Sequence, residues 1–322
     1  MNHRPAIAID LGGTSIKAGI VQGAEVWTAE AVAANAGEGL APQLPRIEAL
    51  VERLCARTGL EAAGCLGIGM AVPFLVDPVR QRIRSAPREK YADACDIDLR
   101  AWARRRFGAD LRLENDAHAA LLGEWRHGAG QGSNDFVMIT LGTGIGCSVL
   151  IGGRPLRGKR FQAGVLGGHL IANPLGGASC AACPASGCYE AESAAQSLER
   201  EARAHQAFPG SALAAEASID FAAVFRLAAA GDDVAAAVRD RCIRHWIALS
   251  ISLVHAYDPD RIVVGGGVSE REDARPFLAA IQRDVNRHAW VVEAVEICAA
   301  RLGNQAGIIG AASLFSRELQ WI

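Results

Sequence analysis

The stretch AIAIDLGGTSIKAGIVQGAEVW, residues 6–27, decides the fold. It contains an apolar run, a Gly-Gly turn, a second apolar run and a second turn, and this order predicts a β-hairpin. A dinucleotide-binding fingerprint requires the spacing Gly-x-Gly-x-x-Gly at the start of a helix. This stretch has neither the spacing nor the helix, so the sequence argues against a Rossmann domain.

The same arrangement occurs a second time in the chain. Residues 135–153, DFVMITLGTGIGCSVLIGG, again place a glycine-rich turn between two apolar runs. Residues 260–270, DRIVVGGGVSE, add a strand that ends in a triple-glycine turn. Two units that each open with strand, turn and strand indicate a duplicated architecture with a cleft between two lobes. We place the boundary between the lobes near residues 116–132.

Periodicity and turn signals predict the remaining elements. They are a helix over 44–58, a buried strand over 65–72, a basic helix over 99–108, a strand over 110–116 followed by a helix over 117–128, alanine-rich helices from 189 to about 258, and a glycine-bounded C-terminal helix.

The composition is that of a soluble globular enzyme. Of the 322 residues 50% are hydrophobic and 21% are charged, and the formal net charge is -2, so we expect no nucleic-acid partner. No apolar run is long enough to span a bilayer, and the N-terminus lacks the layout of a signal peptide. Nine cysteines, six of them scattered singly, argue against a disulfide framework. We therefore expect a cytoplasmic protein with a small-molecule partner and no membrane contact.

The glycine turns carry the first functional signal. Asp10 lies at a strand end beside Gly12, Gly13 and Thr14. Glycines let backbone N–H groups approach an anion closely, so this turn suits a nucleotide phosphate with its Mg²⁺. A structural hairpin turn with a capping aspartate is the alternative. Similar turns at 141–146 and 265–267 follow strands as well, and three such turns in one chain favour nucleotide binding.

On these motifs the chain resembles the ROK family (repressors, uncharacterised frames and sugar kinases) over essentially its whole length. The matching motifs are DLGGTSIKAGI (10–20), LGTGIGCSV (141–149), GHLIANPLGGASCAACPASGCYE (168–190) and VVGGGV (263–268). The resemblance implies an α/β, two-lobed actin-like ATPase fold of the ribonuclease H-like kind, with mixed sheets flanked by helices and an inter-lobe cleft. It implies one lobe of residues 1–118 joined by a C-terminal helix over 306–322, a larger lobe of residues 119–305 with a zinc-binding loop over 169–188, and a homodimer.

The activity that the resemblance implies is transfer of the γ-phosphate of ATP to a sugar hydroxyl. Asp116, in ENDAHAALLGEW (114–125), then acts as the catalytic base, because a positioned carboxylate can accept the hydroxyl proton. A helix N-cap is its alternative role. Asn115, Glu190 and His169 are implied to bind the sugar. The residues implied for ATP and Mg²⁺ are Asp10, Gly12, Gly13, Thr14, Lys17, Gly142, Thr143, Gly144, Gly265, Gly266 and Gly267.

A segment rich in cysteine predicts a structural zinc site. One imidazole and three thiolates, from His169, Cys180, Cys183 and Cys188, make a closed tetrahedral set without an open position for water. Thiols that are merely tolerated near a turn, or a redox pair of Cys180 and Cys183, are the alternatives. Zinc binding would stabilise a loop that lacks secondary structure of its own.

Three features depart from the family's pattern. Cys180 and Cys183 are separated by two residues where the family has one. One residue is thus inserted, so Cys180 is shifted by one position, whereas Cys183 and Cys188 keep the family's spacing. Leu166 occupies the place of a sugar-binding glutamate, which predicts an unusual sugar, such as a deoxy, acylated or amino sugar, or loss of catalysis. In the basic loop, Arg84, Arg88 and Lys90 are interpreted as solvated, with contact to a substrate substituent as the alternative.

The leading hypothesis is an ATP-dependent sugar kinase. A catalytically weak sugar or nucleotide sensor and a kinase of a non-sugar polyol such as a cyclitol are the alternatives. Regulators of the family carry a helix-turn-helix before the first phosphate motif, whereas five residues precede Ala6, so we do not expect a repressor.

Overall fold

The structure is a computed structural model that describes residues 4–86, 90–269 and 275–316. The chain divides into two compact units. The first unit consists of Met1–Gln131, Arg157–Gln162 and Asn304–Ile322, and the second of Gly132–Leu156 and Ala163–Gly303.

The regular elements follow one another along the chain in strand-rich and helix-rich blocks. The strands are β1 (Ala6–Leu11), β2 (Ser15–Gln22), β3 (Glu25–Ala33), β4 (Ile68–Val72), β5 (Leu75–Asp77), β6 (Arg82–Ser85), β7 (Leu111–Asn115), β8 (Phe136–Leu141), β9 (Ile145–Ile151), β10 (Arg154–Pro155), β11 (Arg261–Gly265) and β12 (Glu296–Ala299). The α-helices are α1 (Leu44–Thr58), α2 (Leu99–Phe107), α3 (Asp116–His127), α4 (Tyr189–Ser193), α5 (Ala195–Ala204), α6 (Phe221–Ala229), α7 (Asp233–Tyr257), α8 (Arg275–His288) and α9 (Ala306–Ser313).

Each unit is built on a five-stranded mixed sheet of the same topology. The strand order is β3-β2-β1-β4-β7 in the first unit and β10-β9-β8-β11-β12 in the second. In both sheets three antiparallel strands are extended by two parallel strands. The duplicated architecture predicted from the two glycine-turn hairpins is therefore confirmed within each unit.

The first hairpin forms because both of its strands are apolar and end at a turn that can be closed tightly. β1 pairs with β2 in antiparallel register from Ala6 opposite Val21 to Leu11 opposite Ile16. Most side chains of both strands are fully buried, which explains why they read as near-continuous apolar runs. The hairpin predicted over residues 6–27 is confirmed.

Helices α3 and α9 pack closely in the first unit and fix the position of the β7–α3 junction. A Cβ atom on Gly310 of α9 would collide with the backbone carbonyl of Ala119 of α3, so the two helices approach at backbone distance. The whole of α3, which contains residue 118, consequently belongs to the first unit. The predicted C-terminal helix ends at Ser313, and residues 317–322 lie outside the described residues.

The core of the second unit lies between its sheet and the alanine-rich helices. The long helix α7 buries Trp246, whose ring packs against Phe221 and Phe277 from neighbouring helices. The helices predicted between residues 189 and 258 and the helix predicted over 44–58 are present. Among the residues that the structure describes, no helix combines the length and apolar character needed to cross a membrane.

Candidate active site

The carboxyl ends of three parallel strands bring two aspartates to one edge of the first sheet. β1 and β7 flank β4, with Asp10 opposite Ala71 and Val72 opposite Asn115. Asp116 follows β7 directly as the first residue of α3. The polar residues that the sequence analysis placed at strand ends therefore share the edge at which ligands bind in open α/β sheets.

The environment of Asp116 suits a base that works near neutral pH. Burial and the negative charge of Asp10 raise the pKa of the Asp116 carboxyl to about 6, despite a hydrogen bond from the Ala117 N–H to Oδ1 at 2.8 Å. Burial also raises the pKa of Asp10. Lys17, which lies opposite Asp10 on β2, opposes this shift in part. Two interacting carboxylates of this kind are a candidate site for a divalent cation.

Asn115, rather than Asp116, caps helix α3. Its Oδ1 atom accepts hydrogen bonds from the N–H groups of Ala117 at 3.0 Å and His118 at 3.3 Å, and its Nδ2 atom donates to the Phe74 carbonyl at 3.1 Å. The N-cap role therefore belongs to Asn115. Asp116 accepts the Ala117 N–H at Oδ1, and a side-chain hydrogen bond from Asn115 also favours its ionised form.

The first glycine turn uses one of its amides to close itself. The Gly12 N–H donates to the Ser15 carbonyl at 2.9 Å. In the described part of the chain, no acceptor meets the N–H groups of Gly13 and Thr14. Phosphate contact by the Gly12 amide, which we expected from the sequence, is thus replaced by a turn hydrogen bond. Lys17 is held by the Asn304 carbonyl, 2.5 Å from its Nζ atom.

A buried ion pair underlies the end of β7. Glu114 is fully buried, and its carboxylate receives Arg157 through Nη1 at 3.0 Å and Nη2 at 2.5 Å. Its Oε1 atom also accepts the Asn115 N–H at 2.9 Å and lies 3.4 Å from Nδ1 of buried His118. Burial opposes ionisation, but Arg157 and His118 lower the pKa of Glu114 to about 2. No sequence motif indicated that Arg157 would pair with Glu114.

The second unit places its two glycine turns side by side. β8 and β11 are parallel neighbours, with Thr140 opposite Gly265, so the turns that follow them lie at one sheet edge. The Val268 N–H donates to the Leu141 carbonyl at 3.4 Å and connects the two turns. The Gly142 N–H is used for the Gly144 carbonyl at 3.1 Å, as the first glycine of the other hairpin turn is used. Gly266 has a φ of 86°, a conformation that favours glycine.

The four predicted zinc ligands come together in the second unit. The ligand atoms of His169, Cys180, Cys183 and Cys188 all lie within 4.8 Å of one another. Nδ1 of His169 is 3.9 Å from two of the sulfur atoms, and Sγ of Cys183 is 4.0 Å from Sγ of Cys188. Tetrahedral zinc with bonds of about 2.3 Å separates sulfurs by about 3.8 Å, so these residues fit the metal.

Backbone N–H groups contact two sulfur atoms of the cluster and oppose the effect of burial and the neighbouring thiols, which raise the pKa of Cys188 to about 12. The N–H groups of Ala182 and Cys183 point at Sγ of Cys180 at 3.4 Å, and the Ala191 N–H points at Sγ of Cys188 at 3.5 Å. Hydrogen bonds to sulfur favour the charged form that a metal requires. The extra residue between the first two cysteines is therefore accommodated by the loop, and Cys180 joins the cluster.

Glu190 connects the zinc loop with the turn after β8. Its Oε2 atom accepts the Ile145 N–H at 2.9 Å, and its Oε1 atom lies 3.8 Å from Sγ of Cys180. Leu166 precedes the short 3-10 helix Gly167–His169 and is 42% exposed. The role of Glu190 in sugar binding stays a prediction, and no sequence motif indicated its hydrogen bond to the turn.

Buried Glu192 binds the backbone of the zinc loop. It accepts the Ala178 N–H at 2.8 Å and is paired with Arg241 of α7. No motif in the sequence marked this pair, because its two members lie 49 positions apart. Of the basic loop residues, Arg88 lies outside the described residues, whereas Lys90 is described and lies against Gly13.

Comparison with known proteins places the chain in a family. The sequence model of the ROK family matches residues 6–318. A glucokinase of Halalkalibacterium halodurans is 30% identical over 99% of this chain and 97% of its own length. A solved structure that is similar to this chain is a ROK hexokinase from Thermus thermophilus. Its identity is 34%, its TM-score is 0.76, and the match covers 96% of this chain and 96% of that chain.

The second similar structure is a ROK family glucokinase from Streptomyces griseus, solved in complex with glucose and AMPPNP. Its identity is 31%, its TM-score is 0.79, and the match covers 96% of this chain and 98% of that chain. The chain belongs to the ROK family. Its mixed α/β sheets flanked by helices are those of the actin-like ATPase fold, as the sequence predicted.

Proposed function

We propose that this ROK-family chain is an ATP-dependent sugar kinase in which Asp116 is the catalytic base that allows a sugar hydroxyl to take the γ-phosphate of ATP. The activity class agrees with the sequence and with the kinase relatives. The observation that carries the assignment of the base is the Asp116 carboxyl itself, with a pKa raised to about 6 and Asp10 close by.

The reaction follows from these groups. A hydroxyl oxygen of the sugar forms a bond to the γ-phosphorus, its proton passes to the Asp116 carboxylate, and the bond from the γ-phosphorus to the bridging oxygen breaks to release ADP. A carboxylate with a pKa near 6 is still ionised at neutral pH and is a stronger base than an ordinary aspartate.

We assign the phosphate contacts to N–H groups that have no acceptor among the residues that the structure describes. In the first unit these are Gly13 and Thr14, with Lys17 nearby, and Asp10 would hold Mg²⁺. In the second unit we assign Thr143, Gly144 and the turn Gly265–Gly267 to the nucleotide. Mg²⁺, when bound, neutralises charge on the phosphate oxygens.

Zinc is assigned a structural role. The metal would be held by His169, Cys180, Cys183 and Cys188, with no open position for water. It would therefore stabilise the loop and take no part in phosphate transfer. The loop in turn orients Glu190, which we assign to sugar hydroxyls together with Asn115 and the second ring nitrogen of His169.

The sugar is the least defined part of the site. Leu166 is partly exposed and offers no hydrogen bond where a carboxylate would hold hydroxyls, so we propose a hexose derivative with a missing or substituted hydroxyl. A homodimer and a cytoplasmic location, both expected from the sequence, remain our predictions.

The test is consumption of ATP, with Mg²⁺, across hexoses, amino and N-acetyl sugars, deoxy sugars and cyclitols. Asp116→Asn serves as the blank, and Leu166→Glu is compared with the wild type. We expect one class of sugar derivative to drive turnover, and Leu166→Glu to improve KM for glucose about tenfold by restoring hydrogen bonds to a charged group. Silence across the whole panel, from protein that binds ATP, would contradict the proposal.

A further inference from the structure

The lysines of this chain are few and unevenly placed. Lysine and arginine together number 33, yet only Lys17, Lys90 and Lys159 are lysines. An ammonium is a compact point charge on a flexible stem, whereas a guanidinium is a broad planar fork, so the two are not interchangeable at a tight turn. Two of the three lysines lie at the turn that joins β1 to β2.

Lys90 lies directly across Gly13. A Cβ atom on Gly13 would be 3.1 Å from Nζ of Lys90 and 3.5 Å from its Cδ and Cε atoms. The absence of a side chain at Gly13 therefore makes room for the lysine stem. The ammonium therefore lies beside Gly13, and the N–H groups of Gly13 and of the next residue, Thr14, have no acceptor in the described part of the chain.

The backbone next to Lys90 is anchored to the same turn. Tyr91 is 1% exposed and its hydroxyl donates to the Gly12 carbonyl at 2.7 Å. The Tyr91 N–H donates to the Ala36 carbonyl at 2.8 Å, and its ring packs edge-on against Phe74. Tyr91 has a φ of 54°, which is strained for a bulky residue and is held by these contacts. Because Tyr91 is held by these contacts, the backbone position of the preceding residue, Lys90, is held as well.

Among the residues that the structure describes, no carboxylate pairs with Lys90. Within residues 4–86, 90–269 and 275–316, no ion pair or hydrogen bond joins its Nζ atom to another group. Lys17, by contrast, is bound to the Asn304 carbonyl and lies opposite Asp10. Lys90, without a partner among the described residues, thus lies against Gly13, whose N–H has no acceptor among those residues.

We propose that Lys90 is a further catalytic residue, whose ammonium contacts oxygens of the transferred phosphoryl group and neutralises the charge that develops there. The inference rests on the proposed kinase function. The sugar oxygen bonds to phosphorus, the proton goes to Asp116, the bond to the bridging oxygen breaks and ADP leaves. Lys90 remains protonated throughout and acts by charge alone.

The test compares Lys90→Met with Lys159→Met, which removes the same charge from an exposed lysine elsewhere in the first unit. We measure kcat, both KM values, and the affinity for ADP with and without aluminium fluoride, which mimics the transferring phosphoryl group. Lys90→Met should lower kcat about 100-fold and lose the gain in affinity that fluoroaluminate gives, while KM for the sugar stays unchanged. Lys159→Met should match the wild type, and Lys90→Arg should recover part of kcat.

Two results would overturn the inference. If kcat and the affinity for ADP with aluminium fluoride are unchanged in Lys90→Met, Lys90 does not contact the phosphoryl group and is a solvated residue of the basic loop. A raised KM for the sugar with kcat intact would assign the ammonium to a substituent of the acceptor instead. If the wild type transfers phosphate to no sugar, the proposed function fails, and the fluoroaluminate comparison still decides whether Lys90 meets the phosphoryl position.

Discussion

At the scale of single residues, the proposed chemistry depends on how the fold treats two adjacent positions. Asn115 is committed to capping α3, whereas Asp116, one position later, keeps an elevated pKa of about 6 because of burial and Asp10. The Asn115 amide cannot act as a base, whereas the Asp116 carboxylate can accept a proton, and burial and the charge of Asp10 raise its pKa. The assignment of the base follows from the environment rather than from residue type alone.

The raised pKa of Asp116 predicts the acid limb of the pH profile. The base works only when ionised, so kcat/KM for the sugar should rise with pH, reach half of its maximum near pH 6 and level off above about pH 7. Positive charge beside Asp10 favours ionisation of both carboxyls, so raising Mg²⁺ should move the limb to lower pH. The measurement is kcat/KM from pH 4.5 to 8 at low and saturating Mg²⁺. A flat profile between pH 5 and 7 would contradict the base assignment.

At the scale of elements, the β7–α3 junction is supported by charge as well as by packing. β7 is an edge strand of the first sheet, and Glu114 near its end would be an uncompensated buried anion without Arg157. Arg157 belongs to the short segment that returns to the first unit between β10 and the zinc loop. That segment therefore supports the strand that carries Asn115.

Breaking the Glu114–Arg157 pair should destabilise the protein more than removing both partners. Arg157→Gln leaves a buried carboxylate and should lower the free energy of unfolding by about 3 to 5 kcal/mol, whereas Glu114→Gln/Arg157→Gln should recover much of that loss. Urea denaturation measures both effects. Arg160→Gln, an exposed arginine of the same segment, is the control and should change stability by no more than about 0.5 kcal/mol. Equal losses in Arg157→Gln and Arg160→Gln would rule out the supporting role.

The zinc loop should depend on its metal for order. We expect about one zinc per chain by elemental analysis, and a lower Tm after treatment with a strong chelator, because the binding free energy is local folding free energy. Cys183→Ser should lose the metal, while Cys95→Ser, an exposed cysteine outside the cluster, should retain it. Purified protein that contains no zinc and ignores the chelator would remove the assignment.

At the scale of the whole molecule, local patterns predicted what local physics determines. The hairpin of β1 and β2, the extent of α1 and the duplicated topology were accessible because apolar periodicity and glycine turns determine them. The zinc ligands were accessible because imidazole and thiol groups cluster within a short segment. The hairpin, α1 and the zinc cluster each depend on residues that are close in sequence, whereas the sheet topology also pairs distant strands such as β8 and β11.

Contacts between distant residues were not accessible in the same way. Lys90 reaches Gly13, and Arg157 reaches Glu114 from 43 positions away, and no periodicity encodes such pairs. Gly12 and Gly142, the first glycines of the two hairpin turns, each donate their N–H to a carbonyl of the same turn. The spacing of the glycines alone does not reveal these hydrogen bonds. Sequence motifs therefore located the turns, and the fold decided which of their atoms a ligand can reach.

The most direct test of the central claim is single-turnover phosphoryl transfer by Asp116→Asn, with ATP binding measured in parallel on the same preparation. The substitution keeps the shape of the side chain and removes its capacity to accept a proton. We predict ATP affinity close to that of the wild type and transfer slowed by at least about 100-fold. Transfer at the wild-type rate would show that Asp116 is not the base and would contradict the account.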